Sequence, residues 1–165
     1  MPKAFTIRPY QAADQGAFAS LNLAWIEEYF GVEPEDRRQL DNPQRTILDK
    51  GGAIFVADLD GRVVGTGAMI PAHSQPDTAG QWAEIVKMAT DPVAQGLGVG
   101  GAILDQLILT ARQKGIECLW LETNDRLSAA TRLYASRGFS PLSTDDLWET
   151  PYSRCNMQMT LELAD

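Results

Sequence analysis

The run Asp91-Pro92-Val93-Ala94-Gln95-Gly96-Leu97-Gly98-Val99-Gly100-Gly101 decides how this 165-residue chain is read. Its glycines let the backbone turn sharply and leave no Cβ between the chain and a ligand. After them Ile103, Leu104, Leu107, Ile108 and Ala111 recur at helical spacing and Gly115 closes the pattern, which predicts a helix over 99–114. The glycines therefore stand at a helix start, where the first amides have no intrahelical acceptor and the helix dipole is positive. Backbone amides aimed outward in a positive field bind phosphate oxygens.

Which phosphate is a question of context. Gly96, Gly98 and Gly101 fit the G-x-G-x-x-G of a dinucleotide fold, and Glu122 follows about 20 residues on, where its acidic partner belongs. That fold sets its first glycine directly after a strand, whereas the run 90–95 intervenes here after Ala89. It also opens a large doubly wound sheet, for which the remaining 102–165 is short. A P-loop fails because Gly101 is followed by Ala102-Ile103 rather than by Lys and Ser/Thr. A third pattern, Q-x-x-G-x-G/A, spans Gln95 to Gly100.

Working outward, the N-terminal side reads as strand, two helices and an antiparallel meander. Phe5-Thr6-Ile7-Arg8-Pro9 alternates as a first strand. Asp14 is placed to cap a helix over 17–30, with Phe18, Leu21, Trp25, Ile26 and Tyr29 on its apolar spacing, and Pro34 opens a second helix that ends before Asn42-Pro43. Asp60-Gly61 predicts a hairpin between strands 53–57 and 62–70, and a turn-rich loop, 71–80, leads to another strand over 82–89. On the C-terminal side Cys118–Thr123 reads as a strand parallel to 82–89, joined to it by the crossover helix. A helix over 127–137, a loop over 143–153 and a strand over 155–163 complete the pattern. The expected fold is α/β of the α+β kind: one mixed, mostly antiparallel sheet flanked by helices, with a parallel strand pair beside the glycines.

Gln95 to Gly100 resembles motif A of the GNAT N-acetyltransferase superfamily, and a second motif follows in the right order. Thr123-Asn124, Leu127, Ala130, Leu133-Tyr134 and Gly138-Phe139 match the family's T-N-x-x-L-x-x-A-x-x-L-Y-x-x-x-G-F, and 83–92 looks like its fourth strand and exit. The resemblance is close over 83–139 and loose before it. It implies a single N-acetyltransferase domain over 1–165, with the parallel pair splayed apart at an acetyl-CoA site. The pantetheine arm would lie along Met88, Ala89 and Thr90, and the pyrophosphate on the amides of Gln95, Gly96, Leu97, Gly98, Val99, Gly100 and Gly101. Asn124 matches a cofactor-contacting position, with a turn role as its alternative.

The resemblance also implies the chemistry. Tyr134 falls where a phenol protonates the departing thiolate, the alternative being a core tyrosine on the helix after Leu133. Glu84 stands where the histone-acetylating branch of the family carries its general base. Strand alternation would put Glu84, Val86 and Met88 on one face. A carboxylate there would take a proton from an ammonium, directly or through water, so that the free amine attacks the thioester. Trp25, Glu28 and Tyr29 belong to the region that selects the acceptor, a primary amine of a small molecule or peptide. Two other functions remain open: an acyl-CoA-binding regulatory module without turnover, and a dinucleotide-binding domain.

Composition narrows the field further. A net charge of −8 disfavours nucleic acid as a partner. No apolar run reaches the length of a membrane span and no leader is read at Met1-Pro2-Lys3-Ala4-Phe5, so a cytoplasmic protein is expected. A metal site is not expected, and a zinc site or a Ser-His-Asp triad would have to use His73, the one histidine. Cys118 and Cys155 read as two reduced thiols on strands. A homodimer through an exposed final strand is a further expectation.

Overall fold

The computed structural model describes residues 4–71 and 81–163. His73 and the loop 72–80 lie outside the described residues, as do Met1, Pro2 and Lys3.

Asp60 and Gly61 have φ of 54° and 85°, the left-handed pair that a tight hairpin turn requires, and they join β2 (Ala53–Leu59) to β3 (Arg62–Pro71). Around this hairpin a seven-stranded sheet forms in the order β1-β2-β3-β4-β5-β7-β6. The remaining strands are β1 (Thr6–Pro9), β4 (Trp82–Thr90), β5 (Cys118–Thr123), β6 (Ser140–Pro141) and β7 (Met157–Glu162). All neighbours pair antiparallel except β4 and β5, whose parallel register is confined to Trp82, Ala83 and Glu84 opposite Cys118, Leu119 and Trp120. Beyond Glu84 the two strands part, as expected.

One face of the sheet carries α3 (Val99–Gln113), whose Val99, Ile103, Leu104 and Leu107 are buried against Val64, Ile85, Leu119 and Leu121. Gly65 and Gly67 permit this approach: a Cβ on either would overlap side chains of α3, and Gly67 would also meet the Met88 sulfur. That close seat fixes the start of α3 at the mouth between the splayed strands. The other face is covered by α1 (Gln15–Tyr29) and α2 (Pro34–Asp41), whose Phe18, Ile26 and Leu40 pack with Ile54, Ala68 and Val86. The last helix, α4 (Ser128–Ser136), turns Tyr134 inward onto Phe139.

Three expectations need correction. Asp14 precedes α1 but does not cap it; its carboxylate accepts bonds from Arg8 at 2.8 and 3.0 Å and from the Gln11 amide at 2.8 Å, fastening α1 to β1. The final strand is not a bare edge: β7 lies between β5 and β6, with Ser140 and Pro141 opposite Thr160 and Met159. Cys155 lies before β7, in the 142–156 connection, rather than on a strand; both cysteines are free thiols.

The strand alternation across Glu84 also breaks. Thr66 pairs with Ala89 but Ala68 with Val86, leaving a bulge in β4 at which Lys87 takes φ 55°. The extra residue resets the pleat. Met88 therefore packs with the α3 core, whereas Lys87 reaches α2 on the side where Val86 packs.

Candidate active site

A cleft of ≈ 760 Å³ opens where β4 and β5 part, running from the start of α3 to the end of α1. Its two ends are built from different materials. At one end the backbone of the glycine run is the working surface. Asp91 accepts a bond from the Val93 amide at 3.0 Å and an ion pair from Arg62 at 2.7 Å, anchoring a single 3-10 turn, Pro92–Ala94. Gly96 and Gly98 then adopt φ of 85° and 84°, and Gly98 is the residue from which α3 starts. The first intrahelical bond is from Ala102 to the Gly98 carbonyl, so the amides of Val99, Gly100 and Gly101 face the cleft with no protein acceptor among the described residues. Gly100 has Leu133 across the cleft, close enough that a Cβ would stand 3.2 Å from it.

Most of the expected cofactor contacts lie on this surface: Met88, Ala89, Thr90, Gln95, Gly96, Gly98, Val99, Gly100 and Gly101 all line the cleft. Leu97 does not. Its amide donates to the Ala94 carbonyl at 3.2 Å and its side chain is exposed. The turn that aims its neighbours consumes that amide. Asn124 lines the cleft, but its side chain is engaged twice by the protein. It donates to the Arg154 carbonyl at 2.6 Å and accepts from the Arg126 amide at 2.8 Å, the pattern of a turn residue.

The other end is made of side chains. Glu84 stands at the last paired position of the parallel strands, half-buried, with no protein hydrogen bond to its carboxylate among the described residues. Burial, and then the negative charge of Glu122 across on β5, push its pKa up to about 8, with Lys87 pulling the other way. Glu122 is itself raised by burial but is held by Gln158, which donates to it at 2.8 Å. Tyr134 lines the same cleft; burial raises its phenol and no protein group bonds its hydroxyl among the described residues. An unpartnered carboxyl near neutrality and an unpartnered phenol in one cleft can accept and donate protons on either side of a bound group.

Trp25 and Tyr29 wall the far end together with Phe30 and Tyr152, but Glu28 is exposed and outside the cleft. Several residues in and behind the cleft carry no local signal. Asp36 reads in sequence only as an acid near a helix start, and Glu122 only as a stand-in for a dinucleotide acid. Lys87, Tyr152 and Arg154 reach the cleft through a bulge and a long connection that neither period nor composition reveals. Among the described residues no group of three or more His, Cys, Asp or Glu is arranged to hold a metal ion, and no helix is long and apolar enough to cross a membrane.

Comparison with known proteins gives the same outline. The family model described as Acetyltransferase (GNAT) family matches residues 18–139. A mycothiol acetyltransferase from Sanguibacter keddieii is 32% identical over 131 residues, covering 75% of this chain and 42% of that protein. The chain thus spans less than half the length of that relative. Among solved structures, an acetyltransferase of the GNAT family from Staphylococcus aureus Mu50 superposes with a TM-score of 0.85 at 22% identity, covering 97% of this chain and 99% of that one. A GNAT-superfamily phosphinothricin acetyltransferase from Sinorhizobium meliloti, in complex with acetyl-CoA, gives 0.77 at 20% identity over 97% and 89%.

Proposed function

The chain belongs to the acetyltransferase (GNAT) family, and from that premise we propose that it moves an acetyl group from acetyl-CoA to a primary amine of a small molecule or peptide by direct attack. One observation carries the reading. A single cleft has acceptor-free helix amides at one end and, at the other, an unpartnered carboxyl near neutrality at the point where the sheet divides.

The residues suit the cofactor on the structure's own terms. The amides of Val99, Gly100 and Gly101, aimed by the left-handed Gly96 and Gly98, would hold the pyrophosphate. Past Glu84 the edge of β4 facing β5 has lost its strand partner, and such backbone groups call for a ligand or water to complete them. An extended pantetheine arm along Met88, Ala89 and Thr90 would do so. When bound, acetyl-CoA supplies the thioester carbonyl. A backbone amide of the 88–90 run would polarise its oxygen.

Glu84, ionised above about pH 8, removes a proton from the incoming ammonium, directly or through a water molecule, and frees the lone pair that attacks. Because burial raises Tyr134, its phenol stays protonated across the working range and donates to the sulfur as negative charge develops there. Collapse of the tetrahedral adduct would break the C–S bond, the sulfur taking the phenol's proton and the resulting phenolate taking, through water, the second proton of the new amide nitrogen, while Glu84 passes its own proton to solvent. The alternative, a sensor that binds acyl-CoA without turnover, leaves both proton-handling groups idle.

Thiol release from acetyl-CoA, assayed across a panel of amines and paired with calorimetry against acetyl-CoA and NAD, tests the proposal. Amine-dependent release is expected. Tight acetyl-CoA binding with no release on any amine would favour the sensor, and binding of NAD in its place would overturn the cofactor. Tyr134→Phe should cut turnover and leave acetyl-CoA affinity intact; unchanged turnover removes the phenol from the mechanism.

A further inference from the structure

Behind the amine end of the cleft one enclosed carboxylate takes every hydrogen bond it can. Asp36, at the first turn of α2, is wholly enclosed, with a side-chain exposure of 0%. Its oxygens accept Lys87 Nζ at 2.8 Å, both terminal nitrogens of Arg154 at 2.7 Å each, and the Glu33 amide at 2.9 Å. The two cations are 3% and 9% exposed. Arg154 stacks over Tyr152 at 4.3 Å and faces Trp25 at 5.7 Å, while Glu33 binds Arg154 at 3.3 Å and Ser153 at 2.9 Å. The chain of bonds extends inward: the Lys87 carbonyl accepts the Thr66 hydroxyl at 2.9 Å, and Thr66 accepts Asn22 of α1 at 3.0 Å.

Energy alone does not explain such a cluster. Buried ion pairs are often matched or bettered by apolar replacements, because desolvation offsets their attraction. What they supply is geometry, since a forked guanidinium on a carboxylate fixes both partners in distance and plane. Here the geometry includes a lysine held in the left-handed region, a conformation that persists only where its surroundings over-determine it.

We propose that Asp36, Lys87 and Arg154 form a charge hub that positions the acceptor wall. It locks α2, the bulge of β4 and the 142–156 connection in one arrangement around Glu84, and so governs capture of the amine rather than of CoA. This rests on the acetyltransfer reading above. Lys87 is the joint of the device: it carries the kink of the very strand that bears Glu84, and its ammonium reaches across to α2. The charged and titratable groups that face Glu84 are Lys87 on its own strand, Glu122 on β5, Glu35 on α2, and Tyr152 and Cys155 on the connection. Lys87 is the cation among those facing groups.

Lys87→Met is the test, because Asp36 keeps its fork with Arg154 and is not left uncompensated. The variant should lose about tenfold in kcat/KM for the amine, through KM more than kcat, with the acetyl-CoA dissociation constant unchanged. Its rising pH limb should move to higher pH, since a positive charge that favours ionised Glu84 is gone. Lys87→Arg should restore most of the loss. Amide hydrogen exchange supplies a readout without turnover: 84–90 and α2 should open faster in Lys87→Met, with α3 unaffected. Wild-type kinetics together with wild-type exchange would overturn the hub. Failure of the unaltered protein to turn over any amine would sink the acetyltransfer reading alone, and exchange would still decide the hub.

Discussion

The two ends of the cleft are built from opposite materials. The glycine end is backbone: a 3-10 turn, two left-handed glycines and the first amides of α3, all from one run of chain. The end we assign to the amine is side chain: Glu84, Glu122, Lys87, Tyr152 and Arg154, with Asp36 enclosed behind them, drawn from four separate parts of the sequence. A pyrophosphate needs only donors and a dipole, which any helix start can supply if nothing blocks it. Moving a proton at a chosen atom needs a titrating group in a controlled dielectric, which only convergent packing can make.

If that division is right, the largest effect in the molecule belongs to Glu84. Glu84→Gln should lower kcat/KM by about 10²–10⁴, the usual worth of a positioned proton acceptor, while calorimetry finds acetyl-CoA binding unchanged. The same variant should be the more stable protein in thermal melts above neutrality. A carboxyl whose folded pKa is raised binds its proton more tightly in the folded state, so stability falls as pH climbs from the ordinary carboxylate range through about 8. Glutamine removes that loss. A variant that is both slow and unstable at high pH would mark Glu84 as structural.

The cleft's other end is challenged by Gly98→Ala. Nothing lies within 4 Å of a Cβ built there, so its cost is purely that of φ 84°. At about 1–2 kcal/mol for a left-handed alanine, the acetyl-CoA dissociation constant should rise roughly five- to thirtyfold, as the loop must be re-aimed at each binding event. Acceptor KM and the pH limb should not move. A shift in the limb would show that the two ends are coupled rather than separate.

The same division explains what could be read in advance. The glycine run, the Asp60-Gly61 turn and the end of β5 are local features whose consequences follow from a few adjacent residues, and they gave the sheet its parallel pair and its cradle. Leu97 shows the limit even there, since the turn at Ala94 takes its amide for itself. In the side-chain end, Glu84, Tyr134, Trp25 and Tyr29 stand out in the sequence. Lys87 was hidden by a bulge that no glycine announces, and that bulge parts Met88 from the face assigned to it. Asp36 and Arg154 meet across 118 positions of chain, a distance over which spacing carries no information.

The smallest expected effect is the sharpest, because it concerns one charge on one neighbour. Glu122 raises Glu84 through its negative field, and Glu122→Gln removes that charge while a carbonyl oxygen remains to accept from Gln158. The Glu84 pKa should fall, and the rising limb of kcat/KM should move to lower pH. At pH 7 a base titrating near 8 is only about one-tenth ionised, so the variant should be the faster enzyme there by up to about tenfold, with the gain vanishing at high pH. The amine's own deprotonation contributes to the same limb, but its pKa in solution is indifferent to Glu122, so the difference between variant and parent isolates the carboxyl. A limb that stays in place would mean that burial alone sets Glu84. The facing carboxylates would then be neighbours without consequence, and the amine end would be simpler than its geometry suggests.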